Sequence, residues 1–221
     1  MAFALIRPES RPLIDAARTP DARPVDADRA AAVLRTDFER WSRWALGLGG
    51  FVLAIGGAFV AAGMIEAVRM LGGSPAAVDL VVIAIAVVVG LGGVAILVAL
   101  WWSGRKILSA ASWWLRLPYT AGGRQRRAGG WIRARTVNLE PRVFLRLVTA
   151  ALALLLAVGG IALFVRDLTG EVTSMTAAAA VVGVIALVAG IGQLGGVMRL
   201  VSGLSEADPL WVRIRSGFVR R

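Results

Sequence analysis

The sequence predicts an all-α, polytopic membrane protein whose four transmembrane helices form two tandem helical hairpins. Three observations predict it. There are four apolar runs long enough to cross a bilayer, the basic residues lie almost entirely on one side of those runs, and short motifs recur in the two halves of the chain. With 57% hydrophobic residues in 221 and a mean hydropathy of +0.72, the chain is too apolar to clothe its own core with polar surface in water. Its net charge of +11 must therefore be concentrated outside the apolar runs.

The four runs are Ala45 to Ile65, Leu80 to Trp101, Phe144 to Val165 and Met175 to Met198. Crossing the hydrocarbon core as a helix takes about 20 apolar residues at about 1.5 Å each, and each run is that long. Arg69 and Arg166 are the two basic residues in the loops between spans 1 and 2 and between spans 3 and 4. The other 23 of the 25 lie on the opposite side, Arg146 at the end of span 3 among them. That bias assigns the N-terminus, the central loop and the C-terminus to the cytoplasm, in a bacterial inner membrane. All eight tryptophans (Trp41, Trp44, Trp101, Trp102, Trp113, Trp114, Trp131 and Trp211) fall on the same side, where indole favours the headgroup layer. The N-terminal apolar stretch stops at Ile6, too early for a signal peptide, so span 1 is expected to act as an uncleaved anchor.

Residues 1–25, rich in Pro, Arg and Asp, read as a mobile cytoplasmic tail. Residues 26–102 hold a helical lead-in and the first hairpin. In the lead-in, Val33, Phe38 and Trp41 recur at helical spacing, with Asp26 or Asp28 as a cap. Residues 103–142 form a basic, Trp-rich loop with nine basic residues and Glu140 as its only acid. Its first part sets Ile107, Ala111 and Trp114 on one face, away from Arg105, Ser109, Ser112 and Arg116. This is the pattern of an interfacial amphipathic helix, ended by Pro118. Further on, Ile132 and Ala134 alternate with Arg133 and Arg135 as in a short strand. Residues 143–203 hold the second hairpin, and 204–221 a second basic amphipathic segment with Trp211, Ile214 and Phe218 on one face.

The halves resemble each other. Ala54-Ile55-Gly56-Gly57 recurs as Ala157-Val158-Gly159-Gly160, Gly92-Gly93-Val94 as Gly195-Gly196-Val197, and Trp114-Leu115-Arg116 as Trp211-Val212-Arg213, the offset falling from 103 to 97 residues. Since spans 1 and 3 run in the same direction, this reads as a parallel internal repeat.

Chemistry-bearing constellations are scarce. The chain has no Cys and no His, which removes thiol nucleophiles, Cys or His zinc ligation and the usual general base. The sequence offers no paired carboxylates, no Ser-based nucleophile set and no cofactor motif in a fitting context. Gly190-Ile191-Gly192-Gln193-Leu194-Gly195 matches the dinucleotide fingerprint, but it sits in a run of span length, with no second strand after it. An enzyme is the least favoured class, and no cofactor or metal is expected.

Packing accounts better for the glycines. Gly49, Gly56 and Gly63 repeat every seven residues on one face of span 1, and Gly192 and Gly196 form GxxxG in span 4. They suit a tight four-helix bundle or a homo-oligomer of bundles. The candidate surface for anionic inner-leaflet lipid or a protein partner comprises Arg105, Lys106, Trp113, Trp114, Arg116, Arg124, Arg126, Arg127, Trp131, Arg133, Arg135, Trp211, Arg213 and Arg215. Nucleic acid is disfavoured, because the membrane interface already explains the aromatics. The leading expectation is a non-catalytic accessory or scaffold subunit. The alternative is a small transporter or channel of duplicated hairpins, with Gln193, near the inner end of span 4, and the glycine faces along its path.

Overall fold

The computed structural model describes residues 5–17, 19, 24–72, 74–120, 141–170 and 172–205, and every regular element among them is helical. The helices are α1 (Ser10–Ala16), α2 (Ala27–Phe38), α3 (Trp41–Met70), α4 (Ala77–Thr120), α5 (Pro141–Asp167) and α6 (Ser174–Ser205), with a short 3-10 turn at Pro24–Asp26. α3, α4, α5 and α6 are each long and apolar enough to cross a membrane, and they contain the four expected spans. The chain divides into two compact units. One is built from residues 44–100 and 148–193, the other from residues 1–43, 101–147 and 194–221.

The helix ends follow local chemistry. α3 stops where Gly72 takes a φ of 64°, a left-handed cap closed by its N–H donating to Arg69 O at 3.2 Å. Asp79, in the first turn of α4, accepts from the Ala76 N–H at 2.9 Å, as a capping-box acid does. α5 begins on Pro141, whose missing N–H costs nothing in a first turn. The Oγ1 of Thr173 caps α6 by accepting from the Thr176 N–H at 3.2 Å.

In the first unit, the cores of the apolar helices meet through small residues. A Cβ placed on Gly57 of α3 would lie 2.5 Å from Ala86 O and 2.6 Å from Gly90 Cα of α4, so here backbone packs on backbone. Gly93 is as tight against Ala54 N and Gly50 O, each 2.5 Å from its Cβ position. On the other pair of helices, a Cβ on Gly160 of α5 would lie 2.5 Å from Ala179 O and 3.1 Å from Gly183 Cα of α6. Large apolar side chains point outward instead: Val88 is 68% and Leu155 69% exposed. Water would penalise that surface, whereas lipid solvates it.

Polar contacts in this unit join helix to helix. Ser174 Oγ stands 2.6 Å from Glu66 Oε2 and 2.9 Å from Ala62 O, linking the start of α6 to α3. Thr176 Oγ1 donates to Asp167 Oδ2 at 2.9 Å, tying α6 to the end of α5.

The second unit has an apolar core of its own. Ala27, Ala30, Ala31, Leu34 and Phe38 of α2 are buried with Ile107, Leu108, Ala110, Ala111 and Trp114 of α4, and Ile14 of α1 joins them. The i, i+3, i+4, i+7 spacing on α2 makes that stripe. Residues 1–25 were expected to be a mobile tail. Within them Ser10–Ala16 is helical and Ile14 is buried, because the apolar face of α4 gives it something to pack on. The lead-in was expected to set Val33, Phe38 and Trp41 along one helical face. Phe38 is buried, Val33 is half-buried and Trp41 is 51% exposed, since α2 ends at Phe38 and α3 starts afresh at Trp41. Asp26 holds the N-cap position of α2 without a side-chain capping bond.

The segment expected to be a separate interfacial helix is the second half of α4. The helix continues through Pro118 to Thr120, and the face of Ile107, Ala111 and Trp114 is covered by protein, not by lipid. The strand expected near Ile132 to Arg135 and most of the C-terminal amphipathic segment lie outside the described residues.

Candidate interaction surface

α4 has two faces beyond Leu100. One is buried in the core just described. The other carries Trp101, Trp102, Arg105, Lys106, Ser109 and Arg116, all exposed, with Trp113 half-buried beside them. Residues four apart share a helix face, so Trp101 stacks with Arg105. The Arg105 Cζ lies over the Trp101 ring, 5.0 Å from its centroid. Trp101 and Trp102 meet edge to face, with centroids 5.9 Å apart and planes at 89°.

Trp114, expected on this surface, is 2% exposed, and its indole N–H donates to Leu13 O at 2.9 Å. It is a core residue that anchors α1. Trp113 meets it edge to face at 5.1 Å. Arg124, Arg126, Arg127, Trp131, Arg133, Arg135, Trp211, Arg213 and Arg215 lie outside the described residues.

Several other cations on this side are committed to the fold. Arg43, 6% exposed, donates to Ser103 Oγ at 2.9 Å and also to Leu5 O. Arg35 pairs with Glu39 at 2.7 Å and Arg40 with Asp37 at 3.2 Å, while the other Asp37 oxygen accepts from the Arg7 N–H at 3.0 Å. Arg146 donates to Phe38 O at 2.7 Å, capping the C-terminus of α2, and lies over the Phe38 ring at 4.5 Å. The sequence offered a weak signal for this: Arg43 and Arg146 stand at the ends of apolar runs, where burial against a carbonyl competes with snorkelling.

The expected packing glycines fare unevenly. Gly49, Gly56 and Gly63 have open space where a Cβ would stand, so α3 docks through the neighbouring Gly50 and Gly57 instead. Gly192 is half-buried. Gly196 forms a cradle, its Cβ position 3.2 Å from Phe38 Cζ and 3.4 Å from Leu108 Cδ1. The carbonyl of Gln193 accepts from Thr149 Oγ1 at 2.9 Å, a helix-to-helix hydrogen bond between α6 and α5.

Among the described residues, no group of three or more Asp and Glu is placed to hold a metal ion. The outward face of α4 sets exposed indoles beside exposed cations. Fold and surface together define an all-helical, multi-pass membrane protein. The chain matches no family model, no curated protein and no solved structure.

Proposed function

We propose that this protein is a non-catalytic accessory or scaffold subunit of a bacterial inner membrane, with both termini in the cytoplasm. It presents a basic, Trp-rich surface to anionic lipid and to a protein partner. The observation that carries this reading is the crowding of all eight tryptophans and 23 of 25 basic residues onto one side of the spans. The outward face of α4, with its exposed indoles and cations, is consistent with it. The pairing of Gln193 with Thr149 favours it over a transport path, because that polar group is already satisfied by a neighbouring helix.

The membrane helices are proposed to be two hairpins related by duplication. Support comes from the packing register. Gly57 sits against Ala86 and Gly90 much as Gly160 sits against Ala179 and Gly183. The first-helix glycines are 103 residues apart, the offset of the Ala-x-Gly-Gly motif. Their partners are 93 apart, outside the 103-residue register of Gly92-Gly93 and Gly195-Gly196, so this support lies in the first helix of each hairpin.

The test is affinity purification of the tagged protein from native membranes in mild detergent, at low and high salt, followed by mass spectrometry. A stoichiometric protein partner that leaves at high salt, or on replacing Arg124, Arg126 and Arg127 with Gln, is the expected result. A homo-oligomer carrying only lipid under every condition would sink the scaffold reading and direct attention to flux assays.

A further inference from the structure

We propose that Trp101, Trp102, Arg105 and Lys106 form a binding site for the headgroup of an anionic phospholipid. The inference rests on the reading that this end of α4 faces the inner leaflet, and it adds a site and a ligand class to that reading.

The location comes first. The apolar run of α4 ends at Trp101, and the next residues are Trp102-Ser103-Gly104-Arg105-Lys106. Indoles at the end of a spanning run stand at headgroup depth, where an amphipathic ring is best solvated. Trp101 and Trp102 are 43% and 58% exposed, an unfavourable arrangement in water and an ordinary one among lipid headgroups.

The orientation of the site is held by the residues between. Ser103 and Gly104 are buried: Ser103 Oγ accepts from Arg43 at 2.9 Å, and the Gly104 Cβ position is 3.6 Å from Phe38 Cε2. With that face pinned, the pairs Trp101/Arg105 and Trp102/Lys106, each four apart, are turned outward.

The chemistry then selects the ligand. The guanidinium of Arg105 lies over the Trp101 ring at 5.0 Å, which covers one of its faces and leaves its in-plane N–H fork for an acceptor. Two parallel N–H donors match the two non-bridging oxygens of a phosphodiester, and Lys106 adds a point charge in the same layer. Among the described residues neither cation has an acidic partner, in contrast to Arg35 and Arg40, which pair with Glu39 and Asp37. No described acid supplies their counter-charge, and at headgroup depth its most abundant source is anionic lipid. A zwitterionic headgroup carries its own ammonium, which these cations repel.

The experiment uses the full chain, delipidated in detergent and titrated with phosphatidylglycerol or phosphatidylcholine, with binding read by native mass spectrometry. Wild type is expected to prefer phosphatidylglycerol. R105Q/K106Q should bind it about 25-fold more weakly, about fivefold for each cation, the equivalent of about 1 kcal/mol per basic residue near an anionic surface. R105K should keep part of the preference, and R69Q, on the other side of the spans, should keep all of it. Excess inorganic phosphate should not displace the lipid. Equal binding of the two lipids by wild type, an unchanged affinity in R105Q/K106Q, or displacement by free phosphate would each overturn the assignment. Purifying R105Q/K106Q from native membranes separates the two proposals: a retained protein partner with unchanged lipid affinity removes this site and leaves the scaffold reading standing.

Discussion

Adjacent glycines in α3 give the sharpest test of how the membrane helices pack. A methyl group added at Gly57 would lie 2.5 Å from Ala86 O, 2.6 Å from Gly90 Cα and 2.7 Å from Gly90 N. All three are backbone atoms of α4 and cannot rotate away. Ordinary contact starts at 3.4 Å, so the two helices must separate by about 0.9 Å at this level. A gap of about 0.5–1 Å forfeits a quarter to a half of each dispersion contact along the seam. Overpacking of this kind costs about 1–3 kcal/mol, partly offset by the roughly 0.5–1 kcal/mol by which Ala is favoured over Gly in a helix. Gly57→Ala should therefore destabilise by about 1–2 kcal/mol. At Gly56 the Cβ position is open, so Gly56→Ala should keep only the propensity gain. The difference between these two neighbours is about 2 kcal/mol, and Gly159→Ala against Gly160→Ala should repeat it, because a Cβ at Gly160 meets Ala179 O at 2.5 Å and one at Gly159 meets nothing within 4 Å. The assay is reversible unfolding in mixed micelles of increasing SDS fraction, followed by far-ultraviolet circular dichroism. Equal shifts for Gly56→Ala and Gly57→Ala would mean that α3 docks on α4 through another face.

Ile107, fully buried in the α2–α4 core, should cost about 2–5 kcal/mol on replacement by Ala, read as a lower SDS midpoint, whereas an unchanged midpoint would place that face of α4 outside the core. Trp114→Phe keeps most of the packing but orphans Leu13 O, so about 1 kcal/mol is expected, with faster amide exchange confined to α1. The Thr149–Gln193 hydrogen bond should show a coupling of about 0.6 kcal/mol in a Thr149→Val/Gln193→Leu double-mutant cycle, typical for interhelical bonds in lipid. Because the chain has no cysteine, single-cysteine variants report topology without background. Thr169→Cys should react with an impermeant maleimide on spheroplasts and Ser109→Cys only after lysis, and the reverse pattern would invert the orientation.

The spans were legible because lipid imposes a length and a composition that few other environments demand. The glycine seam was not. Gly49, Gly56 and Gly63 share one heptad phase, and Gly50 and Gly57 share the next, so a seven-residue period alone cannot choose between them. The better signal was the intervening position. Gly50, Ala54, Gly57 and Ala61 are small at spacings of four, three and four, and all are buried. The Gly49 phase has Leu53 and Val60 in the corresponding places, both exposed. The second half of α4 misled for a different reason. Ile107, Ala111 and Trp114 form an apolar stripe whether lipid or protein covers it, and periodicity reports the stripe without naming the cover. The cover, α2 with Ile14 of α1, came partly from a stretch whose Pro and charge content argued against any structure. Seven residues of helix there are too few to be stable alone and depend on the α4 face for their stability.

The basic residues at this end of the helices therefore do two kinds of work, and a charge count does not separate them. Arg43 and Arg146 are buried or half-buried against Ser103, Leu5 O and Phe38 O, so their charge satisfies the fold. Removing either leaves acceptors without donors in a desolvated place, at about 1–3 kcal/mol for each orphaned group. Such a variant would weaken any binding at this end by loosening the α2–α4 core, and a binding assay alone would count that as loss of a contact residue. Arg105 and Lys106 face outward and their side chains bond nothing among the described residues beyond the Trp101 ring, so their loss leaves the helices intact. A charge-removal series can distinguish recognition from architecture only if both sets are measured for stability as well as binding. Recognition is then the part of the effect that appears in Arg105 and Lys106 variants at an unchanged unfolding midpoint.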